Sequence, residues 1–317
     1  MTPTFSQNTL LVLRDIPYRE LERIAHEAFK RVLTQGDTPK SSPSLSKHET
    51  AQLAAPPQGS LIFAEVTPTL TLGHRTAPTD LHFERTAYVK QGIEVTPVDR
   101  GGKATYHGPG QWVIYWVERL EVLTGSRIGV KRAVQGMLKA TESAIQAWAQ
   151  RSQLKGTATI LEGEETGVWW TADPPGTAQK VASVGIRIRE GIVTHGVSVN
   201  VYPTPTSFYG ISPCGLQKER VGTLCPEFLE GDPECPSITQ ADAQMKSLGA
   251  ELAAQWARLL GENVFGVDEA QRSELARNLF LQRFELARSS VAEHYLDTVG
   301  VAGSTPVEPT ILSSHPS

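Results

Sequence analysis

The segment between residues 168 and 201 constrains the fold most, because strand-like runs follow one another there through connections too short to hold a helix. Residues 168–171 and 180–189 flank Ala172-Asp173-Pro174-Pro175-Gly176, whose prolines and glycine favour a turn. Glu190-Gly191 then separates 184–189 from 192–201, a two-residue connection of the hairpin kind. Along 184–189, Val184, Ile186 and Ile188 alternate with Gly185, Arg187 and Arg189, which predicts one face toward a core and one toward water. Hairpins need antiparallel neighbours, so regular βαβ repetition is excluded here.

The remaining pattern adds helices to that sheet. Residues 8–14, 61–66, 69–72 and 111–120 read as further strands, the last β-branched and aromatic enough to be buried. Tyr18, Leu21, Ile24, Ala28 and Val32 recur at helical steps, with Gly36 as a stop. Val130, Val134, Met137, Leu138, Thr141, Ile145 and Trp148 mark one face of a longer helix. Two more helices are expected late in the chain, one from Thr239 to Gly261 with Asp242 in a capping box, the other over 268–288. Together these predict an α+β fold with mixed or antiparallel sheets and flanking helices, one domain over residues 1–288. Residues 36–60, rich in Ser, Pro, Thr, Lys and Gln, are expected to be a flexible insertion. Residues 289–317 are expected to be a disordered tail. Within them Gly303-Ser304-Thr305-Pro306 is what the transfer-RNA T-arm GGTTCGACTCC encodes, so the tail reads as a frame run into an adjacent tRNA gene.

Composition narrows the function. A net charge of -4 over 317 residues argues against a protein whose main task is neutralising phosphates, so no nucleic-acid partner is expected. The cysteines Cys214, Cys225 and Cys235 are too sparse for a disulfide framework and lack the close pairs of a structural zinc site. No metal is expected, and a reducing compartment, the cytoplasm, fits best. No run approaches the apolar length that spans a bilayer, and the start carries no secretory pattern, so no membrane association is expected.

Four segments hold residues able to do chemistry, and each has an ordinary alternative. Arg100, Gly101, Gly102, Lys103, Ala104, Thr105, Tyr106 and His107 lead through Gly108-Pro109-Gly110 into a strand; they could cradle a ligand on backbone N–H groups or simply form a tight turn. Lys180 opens a strand, where a lysine is usually solvated. His195-Gly196 inside a strand marks a bulge, a close backbone contact or packing. Cys214 sits between Pro213, of fixed φ, and Gly215, of free φ; it is either a small buried hydrophobe or a reactive thiol. A thiol of pKa near 8.5 is only about 3% thiolate at pH 7. An ammonium beside it, lowering that value by one or two units, would make the thiolate a large fraction.

Taken together, RGGKATYHGPGQ, KVASVGIRIREGIVTHGVSVNV and ISPCGL, in that order, resemble the lipoyl(octanoyl) transferase family, the octanoyl-ACP:protein N-octanoyltransferases. The run LIFAEVTPTLTLGHR before them is also similar, and the resemblance covers roughly residues 8–261 without the insertion. The resemblance implies the single-domain fold of biotin and lipoate protein ligases. It implies Cys214 as acyl-thioester nucleophile and Lys180 as the residue that lowers its pKa. Substrate contacts would come from Arg100 through His107, from Ser183, Val184 and Gly185, and from Gly196, Val197 and Ser198, with His195 beside them. The donor would be octanoyl-acyl carrier protein, and the acceptors lipoyl domains of 2-oxoacid dehydrogenase complexes and the glycine cleavage H protein. No cofactor is implied, since the thioester already supplies the driving force. The family usually has Gln where Lys103 stands. An ATP-dependent lipoate–protein ligase shares the fold but has no need of a nucleophilic cysteine.

Overall fold

A computed structural model describes residues 10–35, 59–173, 176–202, 208, 210–215, 220–226, 238–259 and 268–288. Residues 36–58 of the expected insertion and the whole of 289–317 lie outside the described residues. Gly59 and Ser60, assigned to the insertion from sequence, are instead buried at the start of a strand.

The large sheet has seven strands: β1 (Leu10–Ile16), β2 (Ser60–Val66), β6 (Gln111–Arg119), β10 (Ile192–Asn200), β9 (Gln179–Arg189), β8 (Gly167–Ala172) and β7 (Gly156–Leu161), side by side in that order. Only β1 and β2 run parallel, joined through helix α1 (Tyr18–Gln35); the other neighbours are antiparallel. The hairpins expected over 168–201 are β8–β9 and β9–β10. A second sheet of three short strands places β3 (Thr69–Leu72) between β4 (Glu94–Pro97) and β5 (Thr105–His107). Helix α2 (Arg85–Lys90) lies between β3 and β4 in sequence, and α3 (Leu120–Thr124) follows β6.

Helices cover both faces of the large sheet. On one side α4 (Val130–Arg151), α5 (Ile238–Ala257) and α6 (Glu269–Arg288) share a core with Trp112, Ile114 and Trp116 of β6. On the other, α1 packs on Val113, Tyr115 and Val117. Successive side chains of a strand point to opposite faces, so a strand buried on both sides reads as one unbroken apolar run, as 111–119 does. The α6 side is aromatic: Phe63, Trp112, Phe280 and Phe284 meet edge-on or tilted, and the Trp112 indole N–H donates to the Met245 carbonyl at 2.9 Å. Helix α5 begins at Ile238, one residue before the expected cap, and Asp242 pairs with Arg14.

That pairing ties sheet, helices and loop together. The Arg14 guanidinium also donates to Glu65 and lies 4.8 Å over the Phe284 ring, while the other Glu65 oxygen accepts the Gly110 N–H at 2.8 Å. Removing one member leaves buried carboxylates without a counter-charge. Arg14→Met is therefore expected to lower stability by about 3 kcal/mol and the melting temperature by roughly 6–12 °C. Thermal unfolding followed by circular dichroism checks this; an unchanged melting temperature would show the cluster to be dispensable.

Candidate active site

A cavity of about 550 Å³ opens where the small sheet meets β9 and β10. One wall is the turn from Arg100 into β5. The buried Arg100 guanidinium donates to the carbonyls of Gly101, Lys103 and Thr71 and to the Thr71 hydroxyl, at 2.7 to 3.3 Å. Its charge thus rests on backbone dipoles rather than on a carboxylate, and it shapes the turn. The Gly101 N–H donates to the Ile186 carbonyl at 3.2 Å, which lays the turn against β9. A Cβ on Gly185 would meet the Gly101 carbonyl oxygen at 3.2 Å, a tight contact that glycine avoids.

Thr105 and His107 face the cavity, and Ala104 and Tyr106 do not. Strand alternation turns those two into the apolar cluster with Leu70, Tyr88 and Ile211. His107 Nδ1 is 2.6 Å from Gln111 Oε1. The Gln111 amide nitrogen donates to the Tyr106 carbonyl and, at 2.8 Å, to Asn200 Oδ1, so its oxygen faces the imidazole and Nδ1 must carry the proton. Burial, reinforced by the Arg100 charge, pushes the His107 pKa down to about 3.

Lys180 enters from β9, and it is 4% exposed. Its side chain crosses Gly167 so closely that a Cβ there would fall 2.4 Å from Cε and 3.3 Å from Nζ. No described carboxylate pairs with Lys180. The chain segment after Cys214 returns to this lysine, forming a bridge between Lys180 and Val221 and a hydrogen bond from the Gly222 N–H to the Lys180 carbonyl at 3.1 Å.

Cys214 occupies a single 3₁₀ turn, Pro213–Gly215, and its side chain lies outside the described residues. The connection between β3 and β4 holds the turn: Leu81 and Ile211 form a bridge through the Ser212 N–H on the Asp80 carbonyl at 3.0 Å and the His82 N–H on the Gly210 carbonyl at 2.9 Å, and the Tyr88 hydroxyl donates to the same Gly210 carbonyl. Gly215, at φ +77°, lines the cavity that Lys180 lines. A Cβ on Gly215 would fall 2.6 Å from Lys103 Nζ, whose ammonium is also 3.8 Å from buried Asp80. Lys103 is thus the cation beside the turn, and Lys180 lines the same cavity. Ser183, Val184, Gly185, Gly196, Val197 and Ser198 line the cavity as well.

Residues 45–244 match the lipoyl protein ligase A/B catalytic domain. Curated relatives agree: an octanoyltransferase of Salinispora arenicola is 38% identical over 55% of this chain and 70% of that protein. The chain belongs to this family. Another octanoyltransferase, from Cutibacterium acnes, is 32% identical over 61% of the chain, spanning 65% of that relative, just under two thirds of its length. One from Parabacteroides distasonis is 29% identical and covered over 98% of its length. These relatives are acyltransferases by name. Among solved structures, a T. acidophilum protein described as a lipoate protein ligase, with lipoic acid bound, superposes with a TM-score of 0.52 at 15% identity, covering 87% of this chain and 94% of its own. At that identity the likeness establishes the fold: the single-domain ligase type, with mixed sheets and flanking helices.

Several lining residues of this lipoyl-ligase-family cavity escaped sequence reading. Tyr18 and Tyr115 appeared only as core positions of a helix and a strand, Arg75 only as the end of a run similar to the family, and the 3₁₀ turn Gly163–Glu165 carried no pattern; the Tyr18 and Tyr115 side chains belong together. Their hydroxyls meet each other, and Tyr115 donates to Glu22 at 2.6 Å. The signal available was the odd-numbered face of β6, where a tyrosine among valines needs a polar partner.

His107 makes stability depend on pH. Its folded pKa is depressed, so its contribution is complete above the unfolded value near 6.5 and is lost as pH falls toward about 3. The loss should reach about 2 kcal/mol by about pH 5 and should be absent in His107→Gln. Urea unfolding of both proteins at the two pH values checks it; equal slopes would contradict the assignment.

Proposed function

We propose that the chain transfers an octanoyl group from octanoyl-acyl carrier protein to the lysine of lipoyl domains in lipoate biosynthesis, through a thioester on Cys214. The observation that carries this is Lys180: a buried ammonium, unpaired by any described carboxylate, lining one cavity with the neighbour of Cys214. A buried cation without an anion is costly, and a thiolate beside it would relieve that cost while becoming nucleophilic.

The steps balance with these two groups. The Cys214 thiolate attacks the donor carbonyl carbon; the new C–S bond forms as the donor C–S bond breaks, and the departing carrier thiolate takes a proton from the Lys180 ammonium. The neutral amine of the acceptor lysine then attacks the enzyme thioester. Its C–N bond forms, the Cys214 thiolate is expelled, and Lys180, now an amine, takes the proton the nitrogen loses. The tetrahedral oxyanion needs N–H donors. Gly101 has its own engaged on Ile186, which leaves Gly102, at φ +100°, as the candidate in that turn. A working thiol requires a reducing compartment, the cytoplasm in this reading. Among the described residues no helix is long and apolar enough to cross a membrane.

Incubation with octanoyl-acyl carrier protein, without ATP, should give one hydroxylamine-sensitive octanoyl adduct by mass spectrometry, absent in Cys214→Ser. An adduct that persists in that variant, or appears only with ATP, would sink the thioester route and favour the ligase alternative. Lys180→Ala should keep the fold and lose at least about a hundredfold in transfer rate at pH 7; near-normal turnover would remove Lys180 from the mechanism.

A further inference from the structure

His195 departs from the face its strand assigns it. Its cross-strand partner Ile186 packs against the core shared with α4, α5 and α6, and Val193 and Val197, two residues to either side, lie within that core. Alternation would send the imidazole there too. Instead His195 has φ +65°, a left-handed conformation unfavourable for a side chain with a Cβ, and the ring turns to the α1 side. There it sits 4.8 Å from the Tyr115 ring, with Nε2 3.4 Å from Glu22 Oε1. The register with β9 continues without a shift, so the backbone twist serves the side chain and adds no bulge to that pairing. Nδ1 meets the Thr194 hydroxyl at 3.1 Å, and Nε2 is buried without a hydrogen-bond partner among the described residues. A strained backbone that turns a buried imidazole toward Glu22, beside a cavity, calls for an explanation.

Position along the sheet supplies one. The Lys180 side chain crosses Gly167, which pairs with Ser183, while His195 pairs with Ile186. Three strand residues separate those levels, about 10 Å. An extended eight-carbon acyl chain, with seven C–C bonds of about 1.5 Å, is about 9 Å long. A chain starting at the level of Ser183 and laid along β9 and β10 would reach the level of His195. Beside the imidazole stand Tyr115 and Glu22, linked by a hydrogen bond, and Tyr18, whose hydroxyl meets that of Tyr115; the two tyrosines line the same cavity. Burial alone would raise the Glu22 carboxyl; the His195 ring and the tyrosine hydroxyls outweigh it and hold Glu22 below the usual carboxylate range.

We propose that His195, backed by Glu22 and Tyr115, is the end wall of the acyl chamber and sets the longest chain the protein accepts. This rests on the acyl-transfer reading above. A further methylene would have to press on a packed ring tied to an ionised carboxylate, where it gains nothing from burial.

The test measures equilibrium binding of hexanoate, octanoate, decanoate and dodecanoate to the full-length protein by calorimetry, beside His195→Gly and His195→Asn. Glycine and asparagine both accept the left-handed backbone. In the wild type, affinity should rise from hexanoate to octanoate and then stop. In the variants it should continue to decanoate, a gain of about tenfold over octanoate. If His195→Gly fails to fold, His195→Asn carries the comparison alone. The same break at octanoate in a folded variant, or no break in the wild type, overturns the end wall. Because binding needs no turnover, a failed octanoyl adduct with a shifted length profile would count against Cys214 chemistry and leave the wall standing.

Discussion

Cations buried without carboxylates beside them shape the centre of this molecule. Arg100 answers its charge with carbonyl oxygens and so bends the glycine turn against β9. Among the described residues Lys180 has no such ring of acceptors and no acid. The difference separates their uses. A guanidinium saturated by its own backbone is scaffolding, whereas an ammonium left open toward a cavity draws in an anion. The sheet register, the close crossing over Gly167 and the returning segment at Val221–Gly222 all serve to hold that ammonium in place.

Much of the fold was legible because its signals are local. The alternation of Val184, Ile186 and Ile188, the turn at Glu190-Gly191 and the helical steps from Tyr18 to Val32 each appear where expected. The alternating residues of β9 are half-buried rather than fully buried, because beyond Ser183 the strand has no β8 neighbour on that side. The three-stranded sheet went unseen: β4 and β5 are short, and their pairing with β3 is long-range. Short strands carry too few residues for a period to show.

The site was legible to a different degree. Thr105, His107, Lys180 and the stretches 183–185 and 196–198 gather on one cavity, as motifs read together imply, but the motifs run past the cavity at Ala104 and Tyr106. Motifs are contiguous in sequence while a strand shows a pocket only every second residue. His195 illustrates the converse. Its placement depends on a backbone angle, and no residue type in the sequence announces that angle. Tyr18, on a helix, and Tyr115, on the central strand, meet only through tertiary folding.

The connection between α1 and β2 has a consequence for how this protein can change. It rejoins the sheet at Ser60, which pairs with Val117, whereas Lys180 and the Cys214 turn gather near the end of β6 marked by Gln111 and Asn200. From Gln111 to Val117 is about 20 Å of strand. The described end of that connection thus enters at the remote end of the central strands. A partner fused just ahead of Ser60 would join the polypeptide at the end of the sheet away from the pocket.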